Sequence, residues 1–269
     1  MPLLAYLGLF LVVPTITVAV QAFRTTEGQP TLENLRTLTE GFILRSFVNS
    51  VVVSLASAVL GAVLGAVLAY VLVTGRPDGW VRRVVTSASG VLAQFGGVTL
   101  AFAFISTVGG EGFLTLLLRD AGVTVGSNWL YEVAGLILVY LYFQIPLMVL
   151  VFLPALDGIR PQWREATQSL GGSTWQYWRH VALPLLTPSF LGATLLLFAN
   201  AFAAFATAAA LISQGGVIVP LQIRNYMTSE VGTSQANVGN ALALGMIVVV
   251  AIAMSLYTVL QRRSARWLR

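Results

Sequence analysis

The feature that most limits what this chain can become is a set of long, uninterrupted apolar runs. Crossing the hydrocarbon of a bilayer as a helix takes roughly 20 apolar residues. Six stretches reach that length, about 3–22, 47–73, 84–108, 133–154, 188–212 and 238–260. They are continuously apolar, whereas transmembrane β-strands must alternate lipid-facing and lumen-facing residues. Of the 269 residues, 57% are hydrophobic and only 9% charged, against about 25% charged in a soluble domain. So few charges cannot coat a water-facing surface, and so apolar a chain does not stay disordered. The expected fold is all-α, a polytopic membrane protein of six transmembrane helices forming one domain over residues 1–269, with no repeat or linker dividing it. The first run ends in Val20-Gln21-Ala22, a small-residue pattern suited to signal-peptide cleavage; no Lys or Arg precedes it, so it is read as a span.

The net charge of +5 comes entirely from arginine on the basic side, and the charges fall between the apolar runs rather than on one face. That pattern argues for membrane topology and against nucleic acid as a partner. The segments 74–83, 155–187 and the tail from 261 hold Arg76, Arg82, Arg83, Arg160, Arg164, Arg179, Arg262, Arg263, Arg266 and Arg269, with Asp78, Asp157 and Glu165 as their acids, a balance of +7. The segments 23–46, 109–132 and 213–237 hold Arg24, Arg36, Arg45, Arg119 and Arg224 against Glu27, Glu33, Glu40, Glu111, Asp120, Glu132 and Glu230, a balance of −2. Arginine-rich loops stay on the cytoplasmic side, so both termini are expected there.

No ionisable residue falls in the middle of a run, where coupled transporters and intramembrane hydrolases keep theirs. There is no cysteine and a single histidine, His180, which leaves no zinc set. A GxxxxGK[ST] phosphate cradle is impossible without lysine. The chain itself is expected to bind no cofactor and to perform no catalysis. Any energy it uses comes from a partner.

Polar side chains within the runs are few. Gln94, Gln144 and Asn200 must face protein or water, because lipid offers an amide no hydrogen-bond partner. Two roles stay open for each, lining a path or joining neighbouring helices. Asn200 has Phe202, Phe205 and Thr207 around it. In the second run Ser57, Gly61, Gly65 and Ala69 recur every four residues beside Ser54, Ala58, Ala62 and Ala66. Such a stripe allows close helix approach, either within the chain or to another subunit. Ahead of that run, Thr31 is placed to cap a short interfacial helix carrying Leu32, Leu35 and Leu38.

The longest arginine-side segment, about 155–187, reads as two short helices joined by glycine. Pro161 suits a first helical turn, and Trp163, Ala166, Thr167 and Leu170 follow on one face. Gly171-Gly172 can end this helix with a left-handed cap. Ser173 and Gln176 have the spacing of a capping box for the next, and Pro184 and Pro188 close the segment. Amphipathicity by itself fits a loop lying on lipid headgroups as well as one that docks on a protein.

Within this segment Glu165-Ala166-Thr167-Gln168-Ser169-Leu170-Gly171, nine residues, then Val181-Ala182-Leu183-Pro184 resembles the EAA loop of ABC importer permeases, Glu-Ala-Ala, three residues, Gly, nine residues, Ile-x-Leu-Pro. Thr167 and Val181 are mild departures. The loop lies between the fourth and fifth runs, as it does in that family, and the stretch Pro30–Tyr70 and the segment Val219–Ile223 look most like permeases of the spermidine/putrescine, ferric-iron and phosphonate type. The resemblance implies a bacterial inner-membrane permease coupled through Glu165, Ala166, Thr167, Gly171, Val181, Leu183 and Pro184 to two ATPase subunits that carry ATP and Mg. It further implies a second, non-identical permease subunit, an extracytoplasmic substrate-binding protein, and a translocation path touching Gln94, Asn200, Phe202 and Phe205. A secondary transporter or a membrane assembly protein is the competing reading.

Overall fold

Inside hydrocarbon every backbone N–H and C=O has to be paired within the protein, so each apolar run is driven into helix. The computed structural model describes residue 6 and residues 8–76, 79–123, 126, 128–212, 218–228 and 234–265. Among these residues there is no strand, only an isolated bridge between Arg24 and Pro30. Five helical stretches are long and apolar enough to cross a membrane: Gly41–Thr74, Val98–Asp120, Val133–Asp157, Thr174–Ala203 and Gln235–Val259. The apolar helix α1 (Gly8–Ala22) is shorter, and residues 3–5 and 7 of the expected first span lie outside the described residues.

Two of the expected spans are drawn differently. The third, 84–108, is not continuous: α4 (Trp80–Leu92) stops, the chain turns through Ala93–Gly97, and α5 (Val98–Val108) begins. Gly97 has φ +79 and ψ −151, a region that only glycine occupies readily. The span-length apolar stretch instead runs from α5 into α6 (Phe113–Asp120), with a turn at Gly109–Gly112 between them. The fifth span, 188–212, starts earlier and ends earlier. Helix α9 (Thr174–Ala203) includes what was expected to be a separate loop helix, breaks at Ala204-Phe205, and is followed by the short α10 (Ala206–Leu211). Pro184 does not interrupt α9. A π-helical turn over Trp178–Ala182 precedes it.

The chain forms two compact units, residues 1–52 with 212–252 and residues 53–211 with 253–269; α3 (Gly41–Thr74) contributes to both. In the first unit, buried Asn34 from the short α2 (Glu33–Arg36) donates to the carbonyls of Ala22 (3.1 Å) and Arg24 (2.9 Å) and closes the turn after α1. Thr31 accepts the Glu33 N–H at the start of α2. An apolar cluster of Ile43, Val219 and Leu242, flanked by Leu38, Phe47 and Tyr226, joins α3 to α11 (Val219–Thr228) and α12 (Ser234–Ala265). Ser50 Oγ accepts the Val219 N–H at 2.8 Å, satisfying a donor at the start of α11.

The second unit is organised around α7 (Val133–Asp157), whose buried residues run from Gly135 to Leu156. The small-residue stripe of α3 packs within the chain. A Cβ on Gly61 would stand 2.7 Å from Gln144 Cβ, and one on Gly65 2.5 Å from Met148 Cβ. Gln144 is fully buried and its amide donates to the Leu197 carbonyl at 2.8 Å, tying α7 to α9. Of the two roles open to this residue, joining helices is the one it takes.

Candidate coupling loop and membrane cavity

The corner of the candidate coupling segment is built by local chemistry. Asp157 ends α7, three residues intervene, and Pro161 opens α8 (Pro161–Ser169), in which no residue is buried. The helix ends in a complete Schellman motif: the Gly172 N–H reaches the Thr167 carbonyl and the Gly171 N–H the Gln168 carbonyl, both at 2.9 Å, with Gly171 at φ +75. Ser173 and Gln176 then form a reciprocal capping box at the start of α9. Two capped helix ends back to back make a fixed corner.

The corner presents apolar surface to the outside. Leu170 is 88% exposed and Trp175 68%, and Glu165 and Ala166 are exposed beside them. Leu183 and Pro184 are exposed at the foot of α9, while Val181 is half-buried. The anchor is Tyr177, buried, with Trp178 stacked edge-on against Tyr70 of α3 at 5.4 Å.

The second feature is a cavity of about 320 Å³ where the two helix breaks meet, lined by Gln94, Gly97, Phe143, Asn200, Phe205 and Thr207 among others. Gln94 and Asn200 are exposed there and carry no salt bridge or charge, so the cavity is polar and neutral. Phe202 does not line it; it is 1% exposed and stacks on Phe198 at 5.6 Å. The broken backbone is paired by side chains. The Gly97 N–H donates to Thr207 Oγ1 at 2.8 Å, and the Tyr140 hydroxyl donates to the Ala204 carbonyl at 2.8 Å. Irregular backbone at membrane depth is tolerated only where protein or a water-filled cavity supplies such partners.

Tyr140 gives no sign in the sequence, since an aromatic residue in an apolar run is ordinary. The Gly96-Gly97 pair is the one sequence signal that marks a break.

Comparison with known proteins bears on this arrangement. A family described as binding-protein-dependent transport system inner membrane component matches residues 61–269. A ferric transport system permease protein of Actinobacillus pleuropneumoniae is 25% identical over 245 residues, 90% of this chain and 34% of that protein. A thiamine transport system permease protein of Escherichia coli is 30% identical over 118 residues, 43% of this chain and 21% of that protein. The chain thus spans only about a third or less of the length of these relatives. A bacterial alginate ABC transporter, solved with an alginate pentasaccharide-bound periplasmic protein, matches with a TM-score of 0.77 at 18% identity over 97% of this chain and 92% of that one. The fold is that of ABC importer permeases, and the match over residues 61–269 places the chain in the family of binding-protein-dependent transport system inner membrane components.

Proposed function

We propose that this chain is the transmembrane permease subunit of an ATP-driven, binding-protein-dependent importer, with both termini and the α8 corner on the cytoplasmic side. The observation that carries the reading is the α8 corner itself, a doubly capped projection whose exposed Glu165, Ala166, Leu170 and Trp175 have no partner in the second unit's core. An ATPase subunit is the partner that such a projection fits: Ala166 permits close approach, and Glu165 offers a carboxylate to an arginine or backbone N–H. ATP and Mg reside on two such subunits. The crossings of one chain enclose little space, so a second, non-identical permease completes the pore, and an extracytoplasmic binding protein delivers substrate to the side expected to carry Glu111 and Asp120, which sit in the turn between α5 and α6 and at the end of α6. Glu230, expected to share that role, lies outside the described residues.

The substrate is drawn from polyamines, phosphonates and chelated ferric iron. The Gln94, Asn200 and Phe205 cavity is neutral, so it supplies polar stepping points while the binding protein supplies selectivity. Reconstitution of the complete importer in proteoliposomes tests the reading with spermidine, 2-aminoethylphosphonate and ferric citrate. At least one should accumulate only with ATP and binding protein both present. Accumulation without ATP would identify a secondary transporter instead.

A further inference from the structure

The coupling corner and the membrane cavity are joined by one element that the sequence did not single out. Asp157 is the last residue of α7, and its carboxylate accepts a charge-assisted hydrogen bond from the Arg82 guanidinium near the start of α4. An acid at a helix C-terminus is unfavourable against the helix dipole, so the arginine offsets a cost that Asp157 would otherwise impose. Side-chain exposure is 20% for Arg82 and 40% for Asp157, which leaves the pair only partly screened by water.

The two ends of this contact lead in opposite directions. From Asp157 the chain reaches Pro161 through Gly158, Ile159 and Arg160. That link is held in a turn by the Gly158 N–H on the Pro154 carbonyl and the Ile159 N–H on the Leu156 carbonyl, so it has little slack. From Arg82, α4 runs to Leu92 and its last turn continues through Ala93 and Gln94, whose N–H groups bond Ser89 and Val91. Twelve residues of helix amount to about 18 Å, the distance from the ion pair to the cavity wall. α4 packs along α7, with Thr86 Oγ1 bonded back onto the Arg82 carbonyl.

We infer that the Arg82–Asp157 pair is a positioning element for transport: it ties the root of the coupling helix to α4, so that displacement of α8 is passed along α4 to Gln94 and the cavity. This rests on the importer reading above. A partly exposed ion pair that served stability alone would contribute little and would leave communication between the two sites unchanged.

The chain has no cysteine, which makes a single introduced thiol a clean reporter. Gln94→Cys in the complete importer, held in nanodiscs, is labelled with 2-(trimethylammonium)ethyl methanethiosulfonate, and its labelling rate is read by mass on this chain with and without ATP plus vanadate. With the pair intact, nucleotide should change the rate by about 5-fold or more, the low end of ordinary coupling between sites. Arg82→Gln and Asp157→Asn should each bring the nucleotide effect below about 2-fold, and the two together should do no more than either. Arg82→Asp with Asp157→Arg should restore at least half of it. Persistence of the full nucleotide effect in both single variants overturns the inference while leaving the importer reading intact, as does an additive loss in the double variant. Absence of any nucleotide effect with the pair intact overturns both.

Discussion

Gly171 is where a single backbone angle decides whether the α8 corner exists. Its φ of +75 lies in the left-handed region, and a Cβ built there meets nothing within 4 Å. The cost of a side chain is therefore conformational and not steric. For a β-branched residue held in that region it is about 1–3 kcal/mol, so Gly171→Val should reduce the population with a formed corner by roughly 5–150-fold. Asparagine tolerates left-handed geometry, and Gly171→Asn should stay within about 3-fold of the unmodified chain. The assay is retention of the co-expressed ATPase subunit on tagged permease, normalised to permease in the membrane fraction, since insertion depends on the apolar runs and should not change. Valine retaining the ATPase as well as glycine does, or asparagine failing as badly as valine, would refute the reasoning.

Other perturbations follow from the same geometry. Gly61→Val would drive its Cβ into Gln144 Cβ, 2.7 Å away, and overpacking of that kind costs about 1–3 kcal/mol; the thermal midpoint in nanodiscs should fall. Thr207→Val removes the acceptor of the Gly97 N–H, leaving a donor unpaired at about 1–3 kcal/mol, whereas Thr207→Ser should be close to neutral in the same melt. Ser173→Ala removes half of the capping box, worth about 0.5–2 kcal/mol, and should raise amide exchange at the start of α9 while sparing α7. Asn200→Leu should slow uptake of every accepted substrate by a similar factor. A changed ranking of substrates would instead mean that this cavity selects.

Much of this architecture was written in simple sequence patterns. Length and apolarity give the helices because no other backbone structure satisfies itself in lipid. The capping box at Ser173 and the glycine stop at Gly171 were legible because they depend on residues a few positions apart. The break at Ala204-Phe205 was not, and the one at Ala93–Gly97 shows only as the Gly96-Gly97 pair, because hydropathy counts apolar atoms and is blind to backbone angle. The pairs that make the breaks affordable, Gly97 with Thr207 and Tyr140 with Ala204, join residues 110 and 64 apart. Arg82 and Asp157 are 75 apart, and each looked like one more charge on the arginine-rich side. The resemblance implies a path touching Phe202 as well as Asn200, yet Phe202 is buried and stacks on Phe198; two residues on a helix turn it through about 200°.

The central claim is that the exposed α8 corner is the contact through which an ATPase drives this chain. Cysteine placed at Ala166, which is exposed in a chain with no other cysteine, allows a direct measurement by crosslinking in membranes that contain the co-expressed ATPase, using a short bis-maleimide and an ATPase bearing single cysteines across its membrane-facing groove. The account predicts a crosslinked permease–ATPase band from position 166, modulated by ATP, and none from a cysteine at Thr39 in the first unit. A band from Thr39 with none from Ala166 would contradict it.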